Sequence, residues 1–141
     1  MTRLKKAYND FLLISNRFKG SKYANDAENR LVFLRNSMAN HEVYIAKYYL
    51  RRGAFIASSE RAKYMLETYP GAPASKEALK ILIESYNKLG SKNLAIESAK
   101  VLAANFSNYT YTIDKNDLVV IKDKSVDPVV EESSFFDFGL F

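Results

Sequence analysis

The residues of this chain best placed by type and spacing to meet a partner are arginines and tyrosines. Arg61 stands beside Ala57, Ala62, Met65 and Tyr69, which recur at helical spacing. A guanidinium at the edge of such a column presents a planar fork of donors that suits a partner's carboxylate. The plainer alternative is an arginine whose stem covers apolar surface while its head reaches water. Arg51 and Arg52 precede Gly53. Cations at a helix C-terminus contribute roughly 0.3–1 kcal/mol, which accounts for both without a partner; Arg52 is also placed to buttress the next helix. Tyr44, Tyr48 and Tyr49 carry the amphipathic bulk common at interfaces, with Tyr49 assigned to the core. His41, the single histidine, falls on an apolar seam beside Glu42 and has no ligand or base partner at helical spacing, so it reads as a core or bend histidine. Ser58 and Ser59 have no base near them, and no acid–base pair or phosphate loop appears, so the chain reads as a non-enzyme with no catalytic, cofactor or metal site.

Composition narrows the field in the same direction. The 141 residues make one domain or part of one. A 48% hydrophobic fraction can fill a core, and 5 Gly with 3 Pro argue against a turn-rich β protein. The lack of Cys excludes disulfides and thiolate-based zinc sites. There is no apolar run long enough to span a membrane. The start, MTRLKKAYNDFLLI, has too short an apolar run for a signal peptide and reads as an amphipathic helix. Residues 1–70 carry 13 Lys/Arg against 6 Asp/Glu, whereas residues 109–141 carry 3 against 7. A basic body with an acidic tail implies an acidic partner surface or a tail that folds back. A nucleic-acid partner is disfavoured, because no Gly-rich or aromatic-basic motif accompanies the charge.

The elements that must hold these residues are helices in pairs. Asn40–Pro70 reads as helix, turn at Arg52-Gly53-Ala54, helix, and stop at Pro70. Ser75–Gly90 has Leu79, Leu82, Ile83, Tyr86 and Leu89 at the spacing of a first tetratricopeptide helix. Three second helices align on Ala7, Ser58 and Ala95 (small), then Ile14, Met65 and Leu102 (apolar), then Phe18, Tyr69 and Phe106. The last two copies are 37 residues apart, close to the ~34-residue period. The first two are 51 apart, and the extra 14 residues are close to four helical turns. Ala27, Leu31, Leu34, Met38, His41, Ile45, Tyr48 and Arg52 continue one seam without Pro or Gly. The spacing therefore predicts one helix over Ala24–Arg52, about 43 Å long, with its weakest point at Ala39–His41. The chain opens on a second helix, Lys5–Arg17, with Ala7, Phe11 and Ile14 buried, as expected of the C-terminal part of a longer repeat protein.

The predicted fold class is all-α: a tetratricopeptide-like α-solenoid fragment over residues 1–108, with one lengthened helix and a non-helical tail over 109–141. In that tail Tyr109, Tyr111 and Ile113 alternate with Thr110 and Thr112. Asp114–Asp117 is turn-like, and Leu118–Ile121 follows, so a β-hairpin or an extended arm is expected.

The stretch Arg30–Leu34, Met38-Ala39 with Glu42, Ala46, Tyr48-Tyr49, Arg52-Gly53-Ala54, Ala57, Arg61 and Tyr69-Pro70 resembles the C-terminal half of the BamD (ComL) family, over roughly residues 3–106. The departures are Lys19, where the family has Pro, and the tail. The family's signal sequence, lipid-attachment Cys and N-terminal repeats have no counterpart here. The resemblance implies a non-enzymatic scaffold subunit of the outer-membrane β-barrel assembly machinery, on the periplasmic face of the outer membrane. It implies that Arg61 pairs with the POTRA domain of a BamA-like barrel subunit, and that accessory assembly lipoproteins and unfolded outer-membrane proteins are further partners. Contact with the membrane itself would come only through a lipid anchor absent from this chain. The protein-binding candidates are then Arg61, Arg52, Arg51, Tyr48, Tyr44 and Phe141. Phe141 ends a Phe136/Phe138 run that is similar to the aromatic-terminated strand signal of outer-membrane barrels; the plainer expectation is a tail packed on the last repeat. The alternative function is a generic tetratricopeptide adaptor that binds a protein terminus, whose repeats would keep the ordinary period.

Overall fold

The computed structural model describes residues 1–125. Five α-helices come first: α1 (Thr2–Arg17), α2 (Lys22–Arg51), α3 (Phe55–Thr68), α4 (Ser75–Leu89) and α5 (Lys92–Asn105). Two strands follow, β1 (Tyr109–Ile113) and β2 (Val119–Asp123). Each helix packs on the next, and α2 also reaches α4, so the first helices of successive pairs stack as a solenoid requires.

The long helix is present as the spacing predicts. It runs unbroken for 30 residues, about 45 Å, through Ala39–His41. Ser21 starts it, its hydroxyl accepting from the Ala24 N–H at 3.3 Å. Gly53 ends it at φ 74, a left-handed conformation that any Cβ would strain.

Its buried face departs from the predicted seam. Leu34 and Met38 are buried, but the burial then continues through Ala39, Glu42, Val43 and Ala46. His41, Tyr48 and Arg52 are exposed, and Ile45 is half-buried. The row 34-38-42-46 advances in steps of four, each overshooting a full turn by about 40°. The buried row therefore winds round α2 as its neighbour changes from α1 to α3 and α4. His41 is a solvent-facing residue, neither core nor bend.

The repeat columns hold where a helix is packed on both sides. Ser58, Ala95, Met65 and Leu102 are at most 1% exposed. Their counterparts in α1, Ala7 and Ile14, are half-buried, and Phe18 is 52% exposed. Among the described helices α1 packs chiefly on α2.

The tail is a hairpin up to residue 123. β1 and β2 pair antiparallel with Tyr109 opposite Asp123 and Ile113 opposite Val119. The turn is set by Asp114, whose Oδ1 accepts from the Asn116 and Leu118 N–H groups at 2.8 and 2.9 Å. Tyr109 and Val119 enter the helical core. Asn87 of α4 grips Val119 as a strand would: its Nδ2 donates to the Val119 carbonyl at 2.8 Å, and its Oδ1 accepts from the Val119 N–H at 3.1 Å. The sequence expectations for Phe136, Phe138, Phe141 and the acidic stretch beyond Asp123 fall on residues 126–141, outside the described residues.

Candidate protein interface

The α2–α3 edge is built on small residues. Ala46 and Ala62 are fully buried, and the buried Ser58 hydroxyl donates to the Ala46 carbonyl at 2.8 Å. With so little side chain between them the two helices approach closely. One turn before Ala46 stands Glu42; next to Ala62 stands Arg61. The close approach brings this pair together across 19 residues of sequence, Arg61 Nη1 donating to Glu42 Oε2 at 3.0 Å.

The two partners are unequal. The Glu42 side chain is 5% exposed and the Arg61 side chain 43%. A desolvated carboxylate needs a compensating charge and donor. Arg61 supplies both from the rim and keeps further N–H groups facing solvent. Nearby, burial first, then Tyr64 and Glu42, push the Tyr69 phenol above its ordinary pKa, against a smaller opposing effect of Arg35. Arg35 donates through Nη2 to the Pro70 carbonyl, tying α2 to the end of α3.

Arg61 opens onto a cleft of about 370 Å³ lined also by Tyr49, Ala57, Glu60 and Tyr64. The cleft thus sets a cation beside two tyrosine rings. A second cleft, about 470 Å³, lies at the α2–α3 turn and is lined by Gly53 to Ala57 with Leu89.

The other candidates form a separate surface. Tyr44 is 65% and Tyr48 47% exposed, and Arg51 and Arg52 are exposed at the helix end. On α2, Tyr44 and Tyr48 lie about 120–160° round from Glu42, so they face away from the Arg61 cleft. The Arg52 guanidinium sits 5.8 Å over the Tyr48 ring, and Tyr48 meets Tyr49 edge-on at 5.6 Å. Arg52 thus braces a tyrosine of its own helix. Tyr49 is half-buried in the cleft wall. Phe141 lies outside the described residues.

Sequence reasoning missed Glu42, Glu60 and Tyr64 as part of the Arg61 site. Glu42 continues a step-of-four row through Leu34, Met38 and Ala46, but a second row through His41 and Tyr48 is nearly equivalent in the sequence, so the local pattern alone does not select it. Among the described residues no group of three His, Cys, Asp or Glu is placed to hold a metal ion, and no helix is long and apolar enough to cross a membrane.

A family model described as YfiO, outer membrane lipoprotein, matches residues 1–115, which takes in all five helices and β1. This chain belongs to that family. Among similar proteins, one of Xylella fastidiosa (strain Temecula1) is 41% identical over 106 residues, 75% of this chain and 36% of the relative. One of Neisseria meningitidis serogroup A is 39% identical over 102 residues, 72% of this chain and 38% of the relative. One of Haemophilus influenzae is 33% identical over 114 residues, 81% and 44% respectively. Each is named outer membrane protein assembly factor BamD. The chain thus spans between a third and a half of the length of these curated relatives. β2 and the Asn87 grip on Val119 involve residues beyond the family match.

Proposed function

We propose that this chain is part of a scaffold in outer-membrane protein assembly, acting at the periplasmic face of the outer membrane without catalysis of its own. Its α2–α3 edge docks the POTRA domain of a BamA-like barrel subunit, with Arg61 meeting a carboxylate of that domain. Accessory assembly lipoproteins and unfolded outer-membrane proteins are further partners, for which the exposed Tyr44, Tyr48 and Arg51 stripe is free of the Arg61 cleft.

The observation that carries the reading is Arg61 itself. It is held on a buried carboxylate, half-exposed, beside an aromatic-walled cleft, in a chain of an outer-membrane lipoprotein family. The 30-residue α2 also favours this reading over a generic peptide-binding adaptor, whose repeats keep a period of about 34 residues.

The test must respect Glu42. Arg61→Glu would set two carboxylates against each other inside the fold. The double variant Glu42→Gln/Arg61→Met removes the guanidinium without stranding a buried charge. It should keep its helical circular dichroism and bind the purified POTRA domain at least about tenfold more weakly, as expected for loss of a desolvated charge contact. Unchanged affinity in that titration rejects the reading.

A further inference from the structure

The Arg61 guanidinium is already engaged before any partner arrives, and this has a consequence for affinity. One N–H is given to Glu42 at 3.0 Å, and the acceptor is a carboxylate almost wholly out of water. We infer that Glu42 is an attenuator of the docking site: it positions Arg61 and at the same time cancels most of the charge that an acidic partner would feel.

An incoming carboxylate must share the guanidinium with Glu42 and so approaches a neutral pair rather than a free cation. Two carboxylates on opposite sides of one guanidinium repel each other across a few ångströms, in a medium less screened than bulk water. Glu60, which also lines the cleft, adds a second negative charge at its rim. Glu42 has a further property that suits it to this role. Because it is buried, solvent and salt do not screen it as they would a surface acid. The penalty on the partner's carboxylate is therefore built into the fold. The contact is kept weak enough to be reversible while its geometry stays fixed, since the helix carrying Glu42 is itself fixed by Ala46 and Ser58. Glu42 acts through Arg61, so it is a positioning residue rather than a contact residue.

This inference rests on the proposed docking of Arg61 to an acidic POTRA surface, and the test separates the two. The full 141-residue chain is titrated with the POTRA domain as wild type, Glu42→Gln and Glu42→Gln/Arg61→Met. Gln keeps the size of Glu and an acceptor for Arg61 but carries no charge. Glu42→Gln is expected to bind about fivefold more tightly, with a faster association rate and a steeper loss of affinity with salt, because Arg61 then presents a whole positive charge. A structural lesion cannot produce a gain in affinity. Equal or weaker binding by Glu42→Gln, with the double variant weaker than wild type, overturns the attenuator and leaves the docking reading standing. A double variant that binds as wild type does, with no gain in Glu42→Gln, overturns both. Should Glu42→Gln not fold, Glu42→Met carries the same test through the association rate, since the partner left behind, Arg61, is 43% exposed and is solvated rather than stranded. A rate no faster than wild type then overturns the inference.

Discussion

At the scale of single residues, the Glu42–Arg61 pair ties interface chemistry to stability. Arg61→Met leaves a carboxylate that is 5% exposed without its donor. Stranding a buried charge by removing its partner costs about 3–5 kcal/mol. The expected outcome is a loss of that size in urea unfolding, largely recovered in Glu42→Gln/Arg61→Met, where no buried charge remains. If Arg61→Met unfolds at the wild-type midpoint, water reaches Glu42 and the pair is not a buried one. A second residue-scale dependence sits at Asn87. Its carboxamide holds both the N–H and the carbonyl of Val119. Asn87→Ala orphans two backbone groups at a residue that is 4% exposed, and should cost about 1–3 kcal/mol and erase slow amide exchange at Val119. Protection retained at Val119 in the variant would show that the hairpin is held by its apolar contacts alone.

At the scale of elements, α2 separates what the sequence discloses from what it hides. Its existence and length follow from local facts: no Pro or Gly within it, apolar residues every three or four positions, Gly53 just past its end. Which face is buried beyond Met38 is not a local fact. Two nearly equivalent rows leave that residue, one through His41 and Tyr48, the other through Glu42 and Ala46. The choice between them is made by α3 and α4, which need small residues at the crossing, and Ala46 and Ala62 supply them. The same crossing makes the Glu42–Arg61 contact, so that half of the site was hidden for the same reason. The hairpin was half-legible: alternation marks Tyr109–Ile113, but its docking depends on Asn87, 32 residues from Val119. The continuity of α2 can be tested at its middle. Asn40 is exposed, so Asn40→Pro changes little packing while removing a helical hydrogen bond. It should cost about 3 kcal/mol in chemical unfolding, whereas Asn40→Ala should be neutral or slightly stabilising. A proline tolerated there would mean that α2 is already broken at Ala39–His41.

At the scale of the whole molecule, three buried or half-buried phenols and one carboxylate make the stability of the solenoid and its hairpin depend on pH. Tyr69, Tyr86 and Tyr109 lie at the ends of α3, α4 and the start of β1, and burial raises the pKa of each above the ordinary tyrosine value. For Tyr109 a hydrogen bond to Asp123 adds to burial. A raised folded-state pKa means that the unfolded chain loses its proton first. The stability these tyrosines contribute is therefore complete below about pH 10, and is lost as pH rises from there through their folded-state values. Asp123 works in the opposite sense. Its carboxylate accepts from the Ser125 hydroxyl and N–H, then from Tyr109 and Asn108, and these bonds hold its pKa far below the carboxylate range. Its contribution is complete above about pH 4 and falls away as pH drops further toward the folded-state value. Stability measured against pH should thus show a plateau bounded by an alkaline limb shared by all three tyrosines and an acid limb to which the hairpin contributes. The pair can be separated. Tyr109→Phe keeps the ring under Lys76 and Lys80, 5.8 and 4.8 Å away, and removes both the titrating phenol and one donor to Asp123. It should make the alkaline limb shallower and move the acid limb to higher pH, because Asp123 then has a less depressed pKa. An alkaline limb unchanged by Tyr109→Phe would mean that the hairpin has already separated from α4 and α5 before the phenol ionises.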